Sequence, residues 1–270
     1  MTDPRSDEPA RDPLPRPRRI IPPREVTGLA RREPSGDNDA VVRDVGVVIV
    51  AAGSGTRVGG PELKQFRWVA GRPMLLHSVQ TFMARPDVHT VVVVLPRSHA
   101  ADPPPWLFQC DLDRLLVSVG GRERSESVAN GLEDLPDEVT TVLVHDAARP
   151  LVGDALIARV IDEARRGNGA VPALPVVDTL KEVDDAGRIV RTVDRTRLWR
   201  AQTPQGFPRA ALARAHAEAR RDRRSGLTDD AALFERGGLP VVIVRGSERA
   251  LKVTDEADFA RADALSTLAE

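Results

Sequence analysis

Val47-Val48-Ile49-Val50-Ala51-Ala52-Gly53-Ser54-Gly55-Thr56-Arg57 points to the fold class of this chain, and Lys64-Gln65 follows it seven residues later. Four β-branched residues in a row, with no polar alternation, predict a strand buried on both faces. Such strands belong to parallel sheets covered by helices. The run then enters small residues, where backbone N–H groups can approach a ligand closely, and Arg57 and Lys64 place positive charge beside them. A loop built this way suits a polyphosphate. By itself, Gly53-Ser54-Gly55 is equally an ordinary strand-to-helix turn. It lacks the Gly-Lys-Ser/Thr ending of a P-loop, and Val58 stands where a dinucleotide fingerprint carries its third glycine.

Working outward, apolar runs at 91–95, 115–119, 142–145 and 241–244 predict further buried strands. Between them, helical spacing predicts helices over 73–83, over 154–166 and over 210–224. Another helix follows Gly120-Gly121-Arg122-Glu123-Arg124-Ser125-Glu126-Ser127, with Ser125 or Ser127 as its cap. Thr228 is placed to cap a helix that Gly237-Gly238 ends, and Thr254 to cap a C-terminal helix with Asp255 and Glu256 in its first turn. Strand and helix alternate regularly, so the fold class is α/β: a mainly parallel sheet with helices on both faces. The rhythm breaks at about 172–202. There, two short alternating runs flank Asp184-Asp185-Ala186-Gly187, a hairpin signal too charged for a core and therefore a projecting β-arm.

Residues 1–44 are a Pro/Arg-rich tail, with eight of the 22 prolines before residue 44, and are expected to be disordered; residues 45–270 form the folded domain. The 270-residue chain has a net charge of −1, which gives no global basic field and argues against bulk nucleic-acid binding. No apolar run approaches the roughly 18 residues that span a bilayer. A single cysteine, Cys110, excludes an intramolecular disulfide and is compatible with a reducing cytoplasm.

Several loops at strand ends carry further chemistry, and in an open α/β sheet ligands bind at the carboxyl ends of strands. Gly120-Gly121 through Ser127 offers backbone N–H groups and a hydroxyl. Asp146 follows a strand directly, where a carboxylate can face a metal bound to phosphate oxygens. Arg149 can pair with Asp146 or with a ligand. Asp178, Thr179 and Lys181 begin the arm, Arg195 lies beyond it, and Lys252 sits between the last strand and the last helix. The five histidines have no metal-ligand spacing, and no Gly-x-Ser-x-Gly elbow is present. A cationic site with hydroxyls and one or two carboxylates suits phosphoryl-type transfer, where positioning and charge neutralisation do most of the catalysis.

Taken together, Ala51-Ala52-Gly53-x-Gly55-x-Arg57 with Lys64-Gln65, His145-Asp146-Ala147-Ala148-Arg149-Pro150, Thr203-Pro204-Gln205 and Thr228-Asp229-Asp230-Ala231 resemble the 2-C-methyl-D-erythritol 4-phosphate cytidylyltransferases. The resemblance runs from about residue 45 to the C-terminus. It implies a Rossmann-like nucleotidyltransferase fold, a homodimer that exchanges the arm, CTP and a polyol phosphate as substrates, and Mg²⁺. It implies that Arg57 and Lys64 stabilise the triphosphate, and that Arg195 and Lys252 hold the second substrate's phosphate. Ala51, Ala52, Gly53, Gly55, Gly121, Ser127 and Asp146 would bind the nucleotide. Of these, Gly121 and Ser127 would read the cytosine and its ribose, and Asp146 would also face the metal. Arg149, Thr179, Lys181, Thr203 and Thr228 would complete the second substrate's pocket. A ribitol 5-phosphate cytidylyltransferase shares this frame; the Asp146–Arg149 run, Thr179-x-Lys181 and Leu198-Trp199 favour methylerythritol phosphate. A non-catalytic nucleotide-binding protein is the rival from another class, and the four cations Arg57, Lys64, Arg195 and Lys252 argue against it.

Overall fold

The computed structural model describes residues 41–53, 62–222 and 229–268. Expectations for residues 1–40, for Gly55 and Arg57, and for Thr228 lie outside them.

The opening apolar run is the central strand β1 (Val45–Val50), followed by a small ribbon of β2 (Trp68–Val69) and β3 (Arg72–Pro73) and then helix α1 (Met74–Met83). The chain continues through β4 (Val88–Leu95), the short α2 (Arg97–Ala101), β5 (Leu115–Val119), α3 (Arg124–Glu133), β6 (Thr141–Asp146), α4 (Asp154–Arg165) and β7 (Gly169–Pro175). The arm is β8 (Leu180–Val183) and β9 (Ile189–Val193). After it come β10 (Trp199–Ala201), β11 (Gln205–Pro208), α5 (Arg209–Arg221), α6 (Ala231–Arg236), β12 (Val241–Arg245) and α7 (Glu256–Ser266).

Strand β1 pairs in parallel with β4 on one side and β6 on the other, and β4 pairs in parallel with β5. Beyond β6 the sheet is mixed. β11 runs antiparallel to β6, β10 and β11 run antiparallel to β7, and β12 returns parallel along the far side of β7. The pleat sends alternate β1 residues to opposite cores. Val47 and Ile49 pack with Leu75, Phe82, Ile157 and Ile161 from α1 and α4. Val48 packs with Val128 and Leu132 from α3 and with Leu212 and Phe234 from α5 and α6. Both faces are covered, as the unbroken β-branched run requires.

Several local expectations are corrected. Strands β7, β10 and β11 extend the sheet through the region where the rhythm breaks, and only β8 and β9 form the separate arm ribbon. Strand β12 is an edge strand rather than a buried one, with Ile243 49% exposed. Glu123, not a serine, occupies the N-cap of α3. Ser127 lies inside that helix, where its hydroxyl bonds back to the preceding loop. Asp255, not Thr254, caps α7, in a reciprocal box with Asp258. Gly237 ends α6 as expected, with Gly238 at a positive φ of 68° that favours glycine.

Candidate active site

Parallel strands deliver their carboxyl ends to one edge of the sheet, and there the loops after β1, β5 and β6 meet the segment after β12. They enclose a cavity of about 520 Å³ lined by Ala51, Ala52, Gly53, Lys64, Gly121, Ser127, Asp146 and Lys252, all expected there, together with Gln65, Arg122, Glu123, Arg124, Ala147 and Ala148.

Close backbone packing holds these loops in place. Ala51 donates to Val94 O (2.9 Å), Ala147 to Val50 O (3.1 Å) and Gly120 to Leu95 O (2.8 Å). A Cβ added to Gly120 would lie 2.2 Å from the Ala52 Cβ, so only glycine lets the two loops approach this closely. Gln65 Nε2 donates to Ala51 O (2.6 Å) and Gly53 O (3.2 Å), which fixes the start of the glycine loop. Lys64 Nζ donates to Val253 O (2.8 Å), and Val253 N donates to Ala148 O (2.8 Å). The first loop, the β6 loop and the Lys252 segment are thereby tied together.

A chain of alternating charges crosses the cavity wall. Lys252 Nζ donates to Asp146 Oδ2 (2.8 Å), and Arg124 Nε donates to Asp146 Oδ1 (3.2 Å). Arg124 Nη1 donates to Asp230 Oδ2 (2.7 Å), and His216 Nε2 lies 3.1 Å from Asp230 Oδ1. Burial pushes the Asp146 carboxyl up, but the charges of Arg124 and Lys252 outweigh it and hold the group well below the usual carboxylate range. Burial likewise opposes the Arg124 charge, and the two aspartates overcome it and raise its pKa. Asp146 is therefore ionised across the physiological range. Among the described residues, no three His, Cys, Asp or Glu side chains cluster as a ready-made metal site. The donor set suits a hard cation that brings most of its oxygen ligands with it, with Asp146 as a single protein carboxylate.

Not every expected residue reaches the cavity. Arg149 is 9% exposed and donates to Ala250 O (2.6 Å) and Ala201 O (3.3 Å). It tethers the segment that carries Lys252. Thr203 is also buried. Its hydroxyl accepts from Asp146 N (3.0 Å) and lies 3.2 Å from His145 Nδ1, so it supports Asp146 from behind. Ser127 and Gly121 line the cavity but bond to each other, Gly121 N donating to Ser127 Oγ (3.0 Å). Thr179, Lys181 and Arg195 are exposed and lie with the arm. Lys181 Nζ donates to Thr192 Oγ1 (2.7 Å), and Arg195 Nη1 donates to Val177 O. The fold brings Lys64 and Lys252 together, and leaves Arg195 away from both.

Arg124 and Gln65 complete the site without having been singled out for it. Both stand inside motifs that the sequence displays, but a lone arginine or glutamine there reads as a solvated side chain.

A family model described as 2-C-methyl-D-erythritol 4-phosphate cytidylyltransferase matches residues 45–267. The chain is 44% identical over 228 residues to the 2-C-methyl-D-erythritol 4-phosphate cytidylyltransferase of Streptomyces coelicolor, covering 81% of this chain and 83% of that one. It is 46% identical over 224 residues to the bifunctional enzyme IspD/IspF of Rhodospirillum rubrum, covering 82% of this chain and 56% of that one. The chain thus spans little more than half the length of such bifunctional relatives. The crystal structure of 2-C-methyl-D-erythritol 4-phosphate cytidylyltransferase from Thermus thermophilus superposes with a TM-score of 0.68 at 38% identity, covering 82% of this chain and 98% of that one. The sheet and its covering helices are the Rossmann-like nucleotidyltransferase fold of that structure. The match over residues 45–267 and the shared fold show that this chain belongs to the 2-C-methyl-D-erythritol 4-phosphate cytidylyltransferases, which are CTP-dependent nucleotidyltransferases.

Proposed function

We propose that this chain transfers the cytidylyl group of CTP to 2-C-methyl-D-erythritol 4-phosphate, forming 4-diphosphocytidyl-2-C-methyl-D-erythritol and releasing pyrophosphate. The observation that carries the reading is the meeting of the glycine-loop backbone, Lys64, Lys252 and Asp146 at one cavity, in a chain so similar to a named methylerythritol phosphate cytidylyltransferase. An oxygen of the substrate phosphate attacks the α-phosphorus of CTP, a new P–O bond forms, and the bond to the β-phosphate breaks. A phosphate oxygen is already ionised near neutral pH, so the reaction needs no general base. It needs two anions brought together.

Lys64, with Arg57 from the glycine loop, offsets charge that builds on the triphosphate, and the backbone of Ala51, Ala52, Gly53 and Gly55 borders it. Gly121 and Ser127 shape the pocket for the base and ribose. Asp146 is the protein carboxylate that would hold Mg²⁺, which would supply neutralisation of charge on the triphosphate. Lys252 then releases Asp146 and turns to the incoming phosphate. Thr179, Lys181 and Arg195 join Lys252 and Thr228 at that phosphate when a second copy of the chain supplies the arm, in a cytoplasmic homodimer. Exposed Val177, Val183, Ile189 and Val190 on and beside the arm support such a docked partner.

A substrate panel tests the proposal: CTP, ATP and GTP crossed with methylerythritol phosphate and ribitol 5-phosphate, with Mg²⁺, read as pyrophosphate release. Turnover is expected with CTP and methylerythritol phosphate. Equal or better turnover with ribitol 5-phosphate would reassign the second substrate, and silence across the panel would favour a binding protein.

A further inference from the structure

Asp230 is 1% exposed and lies outside the cavity, yet its carboxylate is bound at both oxygens: by Arg124 Nη1 at 2.7 Å and by His216 Nε2 at 3.1 Å. It occupies the N-cap position of α6 but makes no capping bond. The first N–H groups of that helix are taken by others, Ala231 N by Gln205 Oε1 (3.1 Å) and Ala232 N by Asp229 Oδ1 (3.0 Å). A buried carboxylate is costly, and replacing a buried ion pair with apolar groups is often neutral or stabilising. The role that remains for Asp230 is the one its bonds define, which is to orient Arg124.

The guanidinium is a rigid planar fork. With Nη1 fixed on Asp230 and Nε on Asp146, its plane is determined, and among the described residues Nη2 makes no hydrogen bond. Asp146 in turn is held from both sides, by Arg124 at Oδ1 and Lys252 at Oδ2. Because Asp230 holds Nη1, Arg124 would keep one of its two anchors if Asp146 turned to a ligand. We propose that Asp230, backed by His216, is a positioning pair that holds Arg124 at the wall of the nucleotide cavity and thereby sets the orientation of Asp146. This rests on the nucleotide-binding reading above. It adds residues that do not touch substrate.

The test uses Asp230→Asn, Arg124→Lys and the double variant in the full chain. CTP affinity is measured by calorimetry with Mg²⁺, thermal melting serves as a fold control, and a crystal structure of Asp230→Asn is determined without nucleotide. Asparagine keeps the shape and accepts a hydrogen bond but lacks the charge. Lysine at position 124 keeps the charge but cannot bridge two carboxylates as a fork. Each single variant is expected to weaken CTP at least tenfold, and Asp230→Asn should cost less than threefold more in the Arg124→Lys background. In the crystal, Arg124 should leave Asp146. Wild-type affinity in either single variant, equal losses in both backgrounds, or an Arg124–Asp146 contact retained in Asp230→Asn would each overturn the proposal. If Asp230→Asn does not fold, Arg124→Lys alone decides, since wild-type affinity there refutes the fork. A wild-type chain that binds no CTP would instead count against the nucleotide reading, and the crystal would still report on Arg124.

Discussion

His145 shows how a single residue can be read in one way and used in another. It stands next to the last residue of β6, but its side chain is fully buried. The Thr203 hydroxyl accepts from Asp146 N, so its own proton goes to His145 Nδ1, and Nε2 is left to donate to Arg149 O (3.1 Å). Burial lowers the histidine pKa to about 4. The unfolded chain therefore binds a proton that the folded chain refuses, and stability is complete above about pH 6.5 and lost as pH falls toward 4, on the order of 3 kcal/mol. Asp134 works in the opposite sense: burial raises it to about 6, so its ionisation opposes folding as pH rises through that range. Urea unfolding of wild type and His145→Asn between pH 7.5 and 4.5 separates the two, since Asp134 is common to both. The wild type should lose stability more steeply on acidification, and parallel curves would remove His145 from the account. Lys64→Ala at the cavity, and likewise Arg57→Ala in the glycine-loop motif, should each lower kcat by about 10²-fold or more, the scale of losing one preorganised charge stabiliser. Unchanged turnover in single-turnover assays would take that residue out of the mechanism. Lys64 was legible because it sits beside the glycine loop in sequence. Arg149 was legible only as a charge close to Asp146 in sequence, because only the fold shows the carbonyls of Ala250 and Ala201 that its guanidinium meets.

Among elements, the approach of the β1 and β5 loops is the tightest constraint on the site. The 2.2 Å that would separate a Cβ at position 120 from the Ala52 Cβ leaves no low-cost adjustment, because both atoms are fixed by backbone. Gly120→Ala should destabilise the fold by about 1–3 kcal/mol through overpacking and weaken CTP by forcing the loops apart. Equilibrium unfolding together with CTP titration checks this, and wild-type values in both would show that the loops can move. The parallel strands β1, β4, β5 and β6 were readable because continuous apolar runs are local signals. Strand β7 was not, since Pro172 interrupts it and proline argues against an interior strand. Pro172 still keeps one bond across the sheet there, its O accepting from Gln202 N (2.7 Å), a contact that needs no N–H from proline. Capping was legible only in part: Asp255 outcompetes Thr254 because Asp258 lies three residues on and completes the box.

At the scale of the molecule, the arm carries exposed apolar side chains on a ribbon separate from the main sheet. Val183, Ile189 and Val190 are 53–65% exposed, and Thr179, Lys181 and Arg195 lie away from the cavity that holds Lys252. The proposed dimer would cover the first set and deliver the second. Ile189→Asp with Val190→Lys should therefore shift the chain toward monomer in light scattering and reduce turnover at least tenfold, while CTP binding changes little. A wild-type monomer with full turnover would refute the exchange. Apolar periodicity and turn chemistry act over a few neighbouring residues, so the covered parallel sheet and the β-arm could be read from the chain alone. The placing of Asp146 between Lys252 and Arg124, and of Arg124 on Asp230, came from the folded chain. The Lys252–Asp146 and Arg124–Asp230 contacts each join residues 106 positions apart, and no local pattern reports a partner at that distance. Their pairing follows from the sheet carrying several strand ends to the same edge.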